Sequence, residues 1–386
     1  MFSSRLQWDL RPNRLSTLLE SKRRSGAPVL DLTESNPTRA GISYSPAILD
    51  AFADRRSLFY DPLPAGSAEA RATVAGYYRE RGHDVAPDRI LITTSTSESY
   101  AYLFKLLADP GDEVLAPRPS YPLFEFLANL ESVRIVQYPL VYHGSWSVDF
   151  EALERSVTAR TRAVVLVNPN NPTGSFLKKE ERARLSALCA ERQIPIISDE
   201  VFADYAFDPD PGRVETLVDA GAALTFCLSG LSKISGLPQM KLGWLAAGGP
   251  RAAEALERLE LIADTYLSVG TPVQHAFPRL LEAGREVQRQ IAARTRANLD
   301  ALRGMVADSA CQVLDVEGGW YATVRVPRTR TEEEWTLELL ERENVLVQPG
   351  FFYDFDSEAY LVLSLLTPAD IFREGAERLT TLVDRS

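Results

Sequence analysis

Short apolar runs, rich in β-branched residues, recur through the first 230 positions, and each is followed by a turn of small or polar residues and then by helical periodicity. The runs at 89–94 (Arg-Ile-Leu-Ile-Thr-Thr), 113–117, 134–138, 163–168 (Ala-Val-Val-Leu-Val-Asn), 194–199 (Ile-Pro-Ile-Ile-Ser-Asp) and 223–228 (Ala-Leu-Thr-Phe-Cys-Leu) are too short for helices. The most continuous of them lack alternation, as strands covered on both faces should. Between them the pattern predicts helices at 67–82, from 94 through 107, up to about 130, near 149–158 and at 178–193, with Ser67 as an N-cap. Strands alternating with helices predict an α/β fold with a mainly parallel sheet. Residues 251–302 read as helical, broken near Gly270 and again near Gly284. In the last hundred residues, runs at 311–316, 321–326 and 360–365 read as strands around a helix at 331–343, a smaller α+β unit. The N-terminal stretch has a short helix at 16–24, a strand-like Val29-Leu-Asp-Leu-Thr, and the loop Glu34-Ser-Asn-Pro-Thr38. The expected division is a large α/β domain at 46–284 and a small α+β domain of 1–45, with its N-terminal arm, plus 285–386.

A chain of 386 residues is long enough for two cores. Its 45% hydrophobic and 25% charged residues are ordinary for a folded protein, and the net charge of −11 argues against a nucleic-acid partner, which needs a basic face. No apolar run reaches the roughly 20 residues that span a bilayer, and the first residues lack a signal-peptide core, so a cytoplasmic enzyme is expected, without a membrane partner. Cys189, Cys227 and Cys311, with His83, His143 and His275, are scattered at no metal-binding spacing.

The candidate chemistry collects just past the ends of the predicted strands, where open α/β sheets place their sites. Thr94-Ser-Thr-Ser-Glu-Ser opens a helix and forms an anion cup of hydroxyls and backbone N–H groups, although such clusters also simply cap helices. Asn168-Pro-Asn-Asn-Pro-Thr-Gly174 closes one strand, and Asp199-Glu200 ends another. Lys233 lies in Ser229-Gly-Leu-Ser-Lys-Ile-Ser-Gly-Leu-Pro-Gln-Met-Lys-Leu-Gly-Trp244, among residues that let backbone approach closely. A desolvated lysine with a lowered pKa is a nucleophile toward aldehydes.

Together, and in this order, these motifs resemble the class I/II aminotransferase family of fold-type I pyridoxal-phosphate (PLP) enzymes, across essentially the whole chain. The resemblance implies a large domain with a seven-stranded type of sheet, a smaller α+β domain, and a homodimer with shared active sites. It implies that Lys233 binds the cofactor as a Schiff base and moves the substrate proton. Asp199 would pair with the pyridine nitrogen, Asn171 with the phenolic oxygen, and Tyr121 would stack on the ring. Ser95, Thr96, Ser97 and Ser232 would hold the phosphate, and Tyr60 would reach the phosphate of the neighbouring subunit. The implied activity is ping-pong transfer of an amino group between an amino acid or amine and a keto acid or aldehyde.

Four positions depart from the family pattern. Lys241 stands where an arginine usually holds the phosphate, and Gly230 where a hydroxyl is common. Phe202 replaces a tyrosine that donates to the phenolic oxygen, so the Schiff base is expected to titrate at higher pH. Val362, in Tyr360-Leu-Val-Leu-Ser364, replaces the arginine that binds the substrate carboxylate; the flanking Glu374-Gly-Ala-Glu-Arg-Leu supports that register. Arg39 and Arg325, with Asn36, are the candidates to take over substrate binding. Trp320, Tyr321, Phe351, Phe352 and Tyr353 line a pocket or fill the small-domain core. Two further readings stand beside amino-group transfer: a PLP-dependent lyase or decarboxylase, to which Val362 gives weight, and a PLP-binding regulator without turnover, against which the retained Lys233 and Asp199 argue.

Overall fold

The structure is a computed structural model, and residues 2–219 and 221–386 are described. The eight strands of the main sheet, in chain order, are β1 (Ile90–Thr93), β2 (Glu113–Arg118), β3 (Arg134–Tyr142), β4 (Trp146–Val148), β5 (Thr161–Val167), β6 (Ile196–Asp199), β7 (Thr225–Gly230) and β8 (Gly243–Gly248). Their spatial order is β1-β8-β7-β6-β5-β2-β3-β4. The pairs β7–β6, β6–β5, β5–β2 and β2–β3 are parallel, whereas β8 runs antiparallel to both of its neighbours. The sheet is thus mainly parallel, but with one strand more than the seven-stranded type, because β4 folds back on the edge strand β3 as a hairpin. Strand β8 also lies outside the sequence reading: after Lys233 the chain returns beside β7, and Gly230 and Gly243 meet there. A Cβ on Gly230 would lie 2.8 Å from the Gly243 Cα, so the ladder closes here because position 230 is glycine.

Helices cover both faces. α1 (Ala68–Glu80) starts at Ser67, whose hydroxyl accepts from the Ala70 N–H as predicted, and α2 (Thr96–Leu107) starts at Ser95. α3 (Ala252–Tyr266) is followed by the 35-residue α4 (Thr271–Met305). Val74, Leu166, Trp244 and Phe277 share the core on one side of the sheet, and Leu103, Phe104, Val165 and Leu259 the core on the other.

The predicted break near Gly284 is absent, and α4 runs through it, across the expected domain boundary. Close packing explains the glycine: a Cβ on Gly284 would sit 2.4 Å from the Ser235 Cβ, so this residue admits the loop that follows Lys233.

The second sheet contains β9 (Gln312–Val313), β10 (Tyr321–Arg325), β11 (Gln348–Pro349) and β12 (Tyr360–Ser364), in the antiparallel order β9-β10-β12-β11. Ala322, Val324, Leu361 and Leu363 pack against Leu299 on α4 and against Phe372 and Leu379 on α5 (Ala369–Asp384). The N-terminal segment joins this unit, since Leu30–Asp31 pairs in parallel with Val345–Leu346.

Candidate active site

Lys233 lies in the one-turn helix Leu231–Ile234, directly beyond β7. Its Nζ is 5.0 Å from the ring centre of Trp320 and 5.6 Å from that of Phe202, and these two rings pack edge to face. Burial lowers the Lys233 pKa, and the negative charge of Asp199 opposes that shift. The backbone is held as well: the Tyr205 hydroxyl donates to the Lys233 carbonyl at 2.6 Å, and the Leu231 N–H donates to the Leu242 carbonyl. Tyr205 is itself buried against Trp320. Nothing in the sequence pairs position 205 with 233, so this tether was invisible there.

Asp199 ends β6 as predicted. Tyr100, from α2, donates to its Oδ2 at 3.2 Å, and the Val201 N–H donates to Oδ1. Burial outweighs these two hydrogen bonds and pushes the Asp199 pKa up to about 6. The adjacent Glu200 has a different task. It is buried on the other side, where it accepts from Ser198, Thr216 and the Leu217 N–H.

The three asparagines after β5 divide the labour. Asn168 donates to the Val214 carbonyl and accepts from the Leu177 N–H. Asn170 donates to the Pro119 carbonyl and to Thr173, tying this loop to the loop that carries Tyr121. Asn171, the residue singled out from the sequence, is buried with no partner for its Oδ1 among the described residues. The first two are scaffolding and the third is available. Tyr121 is 46% exposed; partial burial of its hydroxyl raises its pKa, and the nearby Asp199 charge adds to that shift.

At the head of α2 the Ser95 hydroxyl caps the Glu98 N–H, while the Glu98 carboxylate turns back to the Thr94 N–H. The N–H groups of Thr96 and Ser97, in the first turn, have no intrahelical carbonyl to donate to, so an anion suits this end. Gly243 brings β8 against this cup, since a Cβ there would lie 3.2 Å from the Ser95 Cα. Two residues earlier Lys241 is exposed and left-handed (φ 49°), on the approach to the same cup, and Ser232 follows directly from the β7 end of that ladder.

The remaining candidates lie apart. Tyr60 is 81% exposed in an apolar surface stretch with Leu58 and Phe59. The Asn36 side chain accepts from the Thr38 N–H and hydroxyl, in a tight local turn, and Arg39 beyond it is exposed. Arg325 is exposed at the end of β10, with its guanidinium on Gln312. Val362 is buried in β12, directly paired with Thr323 and Gln348. Of the five aromatic residues, Trp320 and Tyr321 reach Phe202, and Tyr353 is buried with its carbonyl on the Ser120 N–H. Phe352 packs instead against the Leu15, Leu340 and Leu346 cluster, and Phe351 is 48% exposed.

These groups fit pyridoxal phosphate. An uncommitted amide at Asn171, a carboxylate at Asp199, a helix N-terminus with hydroxyls, and an amine with a lowered pKa lie around one strand-end region. The comparisons with known proteins agree. The model of the family described as aminotransferase class I and II matches residues 27–378. The glutamate-pyruvate aminotransferase AlaA of Escherichia coli K12 is 30% identical over 279 residues, covering 68% of this chain and 66% of that enzyme. Its namesake in Haemophilus influenzae is 26% identical over 92% of this chain and 90% of its own. Among solved structures, the alanine aminotransferase of Pyrococcus furiosus superposes over 100% of both chains with a TM-score of 0.90 at 22% identity, a likeness of fold. The chain belongs to the class I and II aminotransferase family, whose members use pyridoxal phosphate.

Proposed function

We propose that this chain transfers an amino group between an amino acid or amine and a keto acid or aldehyde, in two half-reactions of a ping-pong cycle. The observation that carries the reading is the placement of Lys233: an amine with a lowered pKa, boxed by Trp320 and Phe202, with Asp199 nearby. When bound, pyridoxal phosphate supplies an electron sink for the electrons freed at the substrate carbon. Lys233 would hold the cofactor, and its amine, with a pKa lowered by burial, would move the substrate proton. Asp199 would pair with the cofactor's ring nitrogen. A carboxylate raised to about 6 by burial gains most from a cationic partner, and Tyr100 keeps it aimed. Asn171 would donate to the phenolic oxygen, and Tyr121 would stack on the ring. Ser95, Thr96, Ser97, Ser232 and Lys241 would hold the phosphate, with Lys241 as a point charge rather than a bidentate fork.

Tyr60 serves the partner's site in a homodimer. Leu58, Phe59 and Tyr60 are 80%, 73% and 81% exposed, and they rim a cavity of about 340 Å³ bounded also by Leu267 and Pro272. An apolar surface of this kind suits a second copy of the chain. Among the described residues no helix is long and apolar enough to cross a membrane.

Mixing the purified enzyme with amino donors tests the reading. The absorbance of the bound cofactor should move to that of its amine form and return on addition of a keto acid, and Lys233→Ala should lose both changes. Ammonia release with unchanged cofactor would replace transfer by elimination, and silence toward every donor would leave a binding protein.

A further inference from the structure

The small-domain sheet turns one face to its own core, through Ala322, Val324, Leu361 and Leu363. Side chains alternate along a strand, so Tyr321 and Thr323 on β10, Val362 on β12 and its direct partner Gln348 on β11 share the opposite face. That face looks toward the lysine. The Tyr321 ring is 6.2 Å from that of Phe202, which is itself 5.6 Å from the Lys233 Nζ. The same wall meets the Tyr121 loop, because the Ser120 N–H donates to the Tyr353 carbonyl at 2.9 Å. The Tyr353 hydroxyl donates to the Gln348 Oε1. This fixes the carboxamide and leaves its Nε2, with two N–H groups, uncommitted among the described residues. Across Val362 from it, the buried Thr323 Oγ1 has no partner among the described residues either.

Two carboxylates, the wrong sign for an anion, lie about this site, and the arginines around the wall are engaged or on the surface. Glu34 lies beside Tyr321, and Asp199 lies across the site near Tyr121. Arg118 pairs through Nη1 with Asp356 at 2.8 Å, although its buried Nε has no partner among the described residues; Arg325 is engaged with Gln312 at the exposed strand end, and Arg39 is on the surface. A carboxylate placed here would surrender its hydration to neutral groups and face two like charges. A hydroxyl or amide would need only the hydrogen bonds that Gln348 offers.

We propose that the substrate carries a neutral hydrogen-bonding group, a hydroxyl or a carboxamide, at the end that meets this wall, and that Gln348, oriented by Tyr353, reads it. The substrate class is therefore amino alcohols and amino amides, with the corresponding hydroxy- or amido-carbonyl compounds as acceptors. This inference rests on the aminotransferase reading above.

The test compares, on the PLP-loaded enzyme, an L-amino acid with the amino alcohol and the primary amide of the same side chain, first in the phenylalanine series and then in the alanine series. The readout is the rate at which each donor converts the bound cofactor to its amine form. The expected result is a kcat/KM at least about tenfold higher for a neutral donor. Gln348→Leu should lower that value about tenfold, mostly through KM, while the resting absorbance of the bound cofactor stays unchanged. Val362→Arg should move the preference toward the amino acid, and Gln348→Glu, which keeps the shape, should also weaken the neutral donors. Parity, a preference for the amino acid, or indifference of the neutral donors to Gln348→Leu overturns the inference while leaving transamination standing. Conversion by no donor in either series overturns both.

Discussion

Asp199 shows how much one residue's surroundings decide. Burial lifts its pKa from the usual carboxylate range to about 6, against the pull of Tyr100 and the Val201 N–H. A folded-state pKa above the unfolded one favours the protonated form. The associated stability is complete below about pH 4 and is lost as pH rises through 6. Cofactor-free protein should therefore lose about 2 kcal/mol between pH 4 and 7.5 from this group. In Asp199→Asn the loss should vanish, making the cofactor-free variant more stable at pH 7.5 in urea titrations yet catalytically impaired. At Phe202 a hydroxyl would stand near the Lys233 amine, so Phe202→Tyr should lower the midpoint of the cofactor's absorbance titration by about one pH unit. An unchanged or higher midpoint would disprove it. These residues could be singled out in the sequence because each follows an apolar strand and carries its own chemistry. Tyr100, Asn170 and Tyr205 stayed hidden because their partners are 99, 51 and 28 positions away, and no local pattern encodes such a contact.

At the level of elements, the strand–helix rhythm was legible because buried parallel strands are uninterrupted apolar runs with turn residues at both ends. The two misreadings share a cause. Gly284 looks like a helix breaker in isolation, and Gly243-Trp-Leu-Ala-Ala-Gly248 looks too small to be a strand. Both are glycine-bearing because something packs directly on the backbone: Ser235 on Gly284, Gly230 and Ser95 on Gly243. Tertiary packing overrides the local preference. Gly284→Ala, a change that ordinarily gains up to about 1 kcal/mol inside a helix, should instead cost about 1–3 kcal/mol here. Ser235→Gly should recover part of the loss, and the urea midpoints of the three variants check it.

For the whole molecule, the two sheets have separate cores, and α4, which runs through the boundary expected at 284, contributes to both. The exposed Leu58–Tyr60 stretch is where the proposed dimer can be tested. Phe59→Glu, with a charge in the middle of the Leu58–Tyr60 stretch, should shift the protein toward monomer in sedimentation velocity and weaken cofactor retention at least about tenfold. A variant that remains dimeric and retains cofactor would remove this face from the interface.

Tyr205 does more than hold a carbonyl. Its own carbonyl accepts from the Gly319 N–H, and two residues later the Phe207 N–H donates to the Glu317 carbonyl, while Gly318 presses on Gly174 in the asparagine loop. The strand leading into Trp320 and Tyr321 is thereby bolted to the segment that grips Lys233. The linkage is mechanically a lever with a short arm. Any tilt of the smaller sheet that a substrate induces at Tyr321 and Gln348 must also strain the backbone under the nucleophile, so recognition at one end of the substrate is felt as alignment at the other.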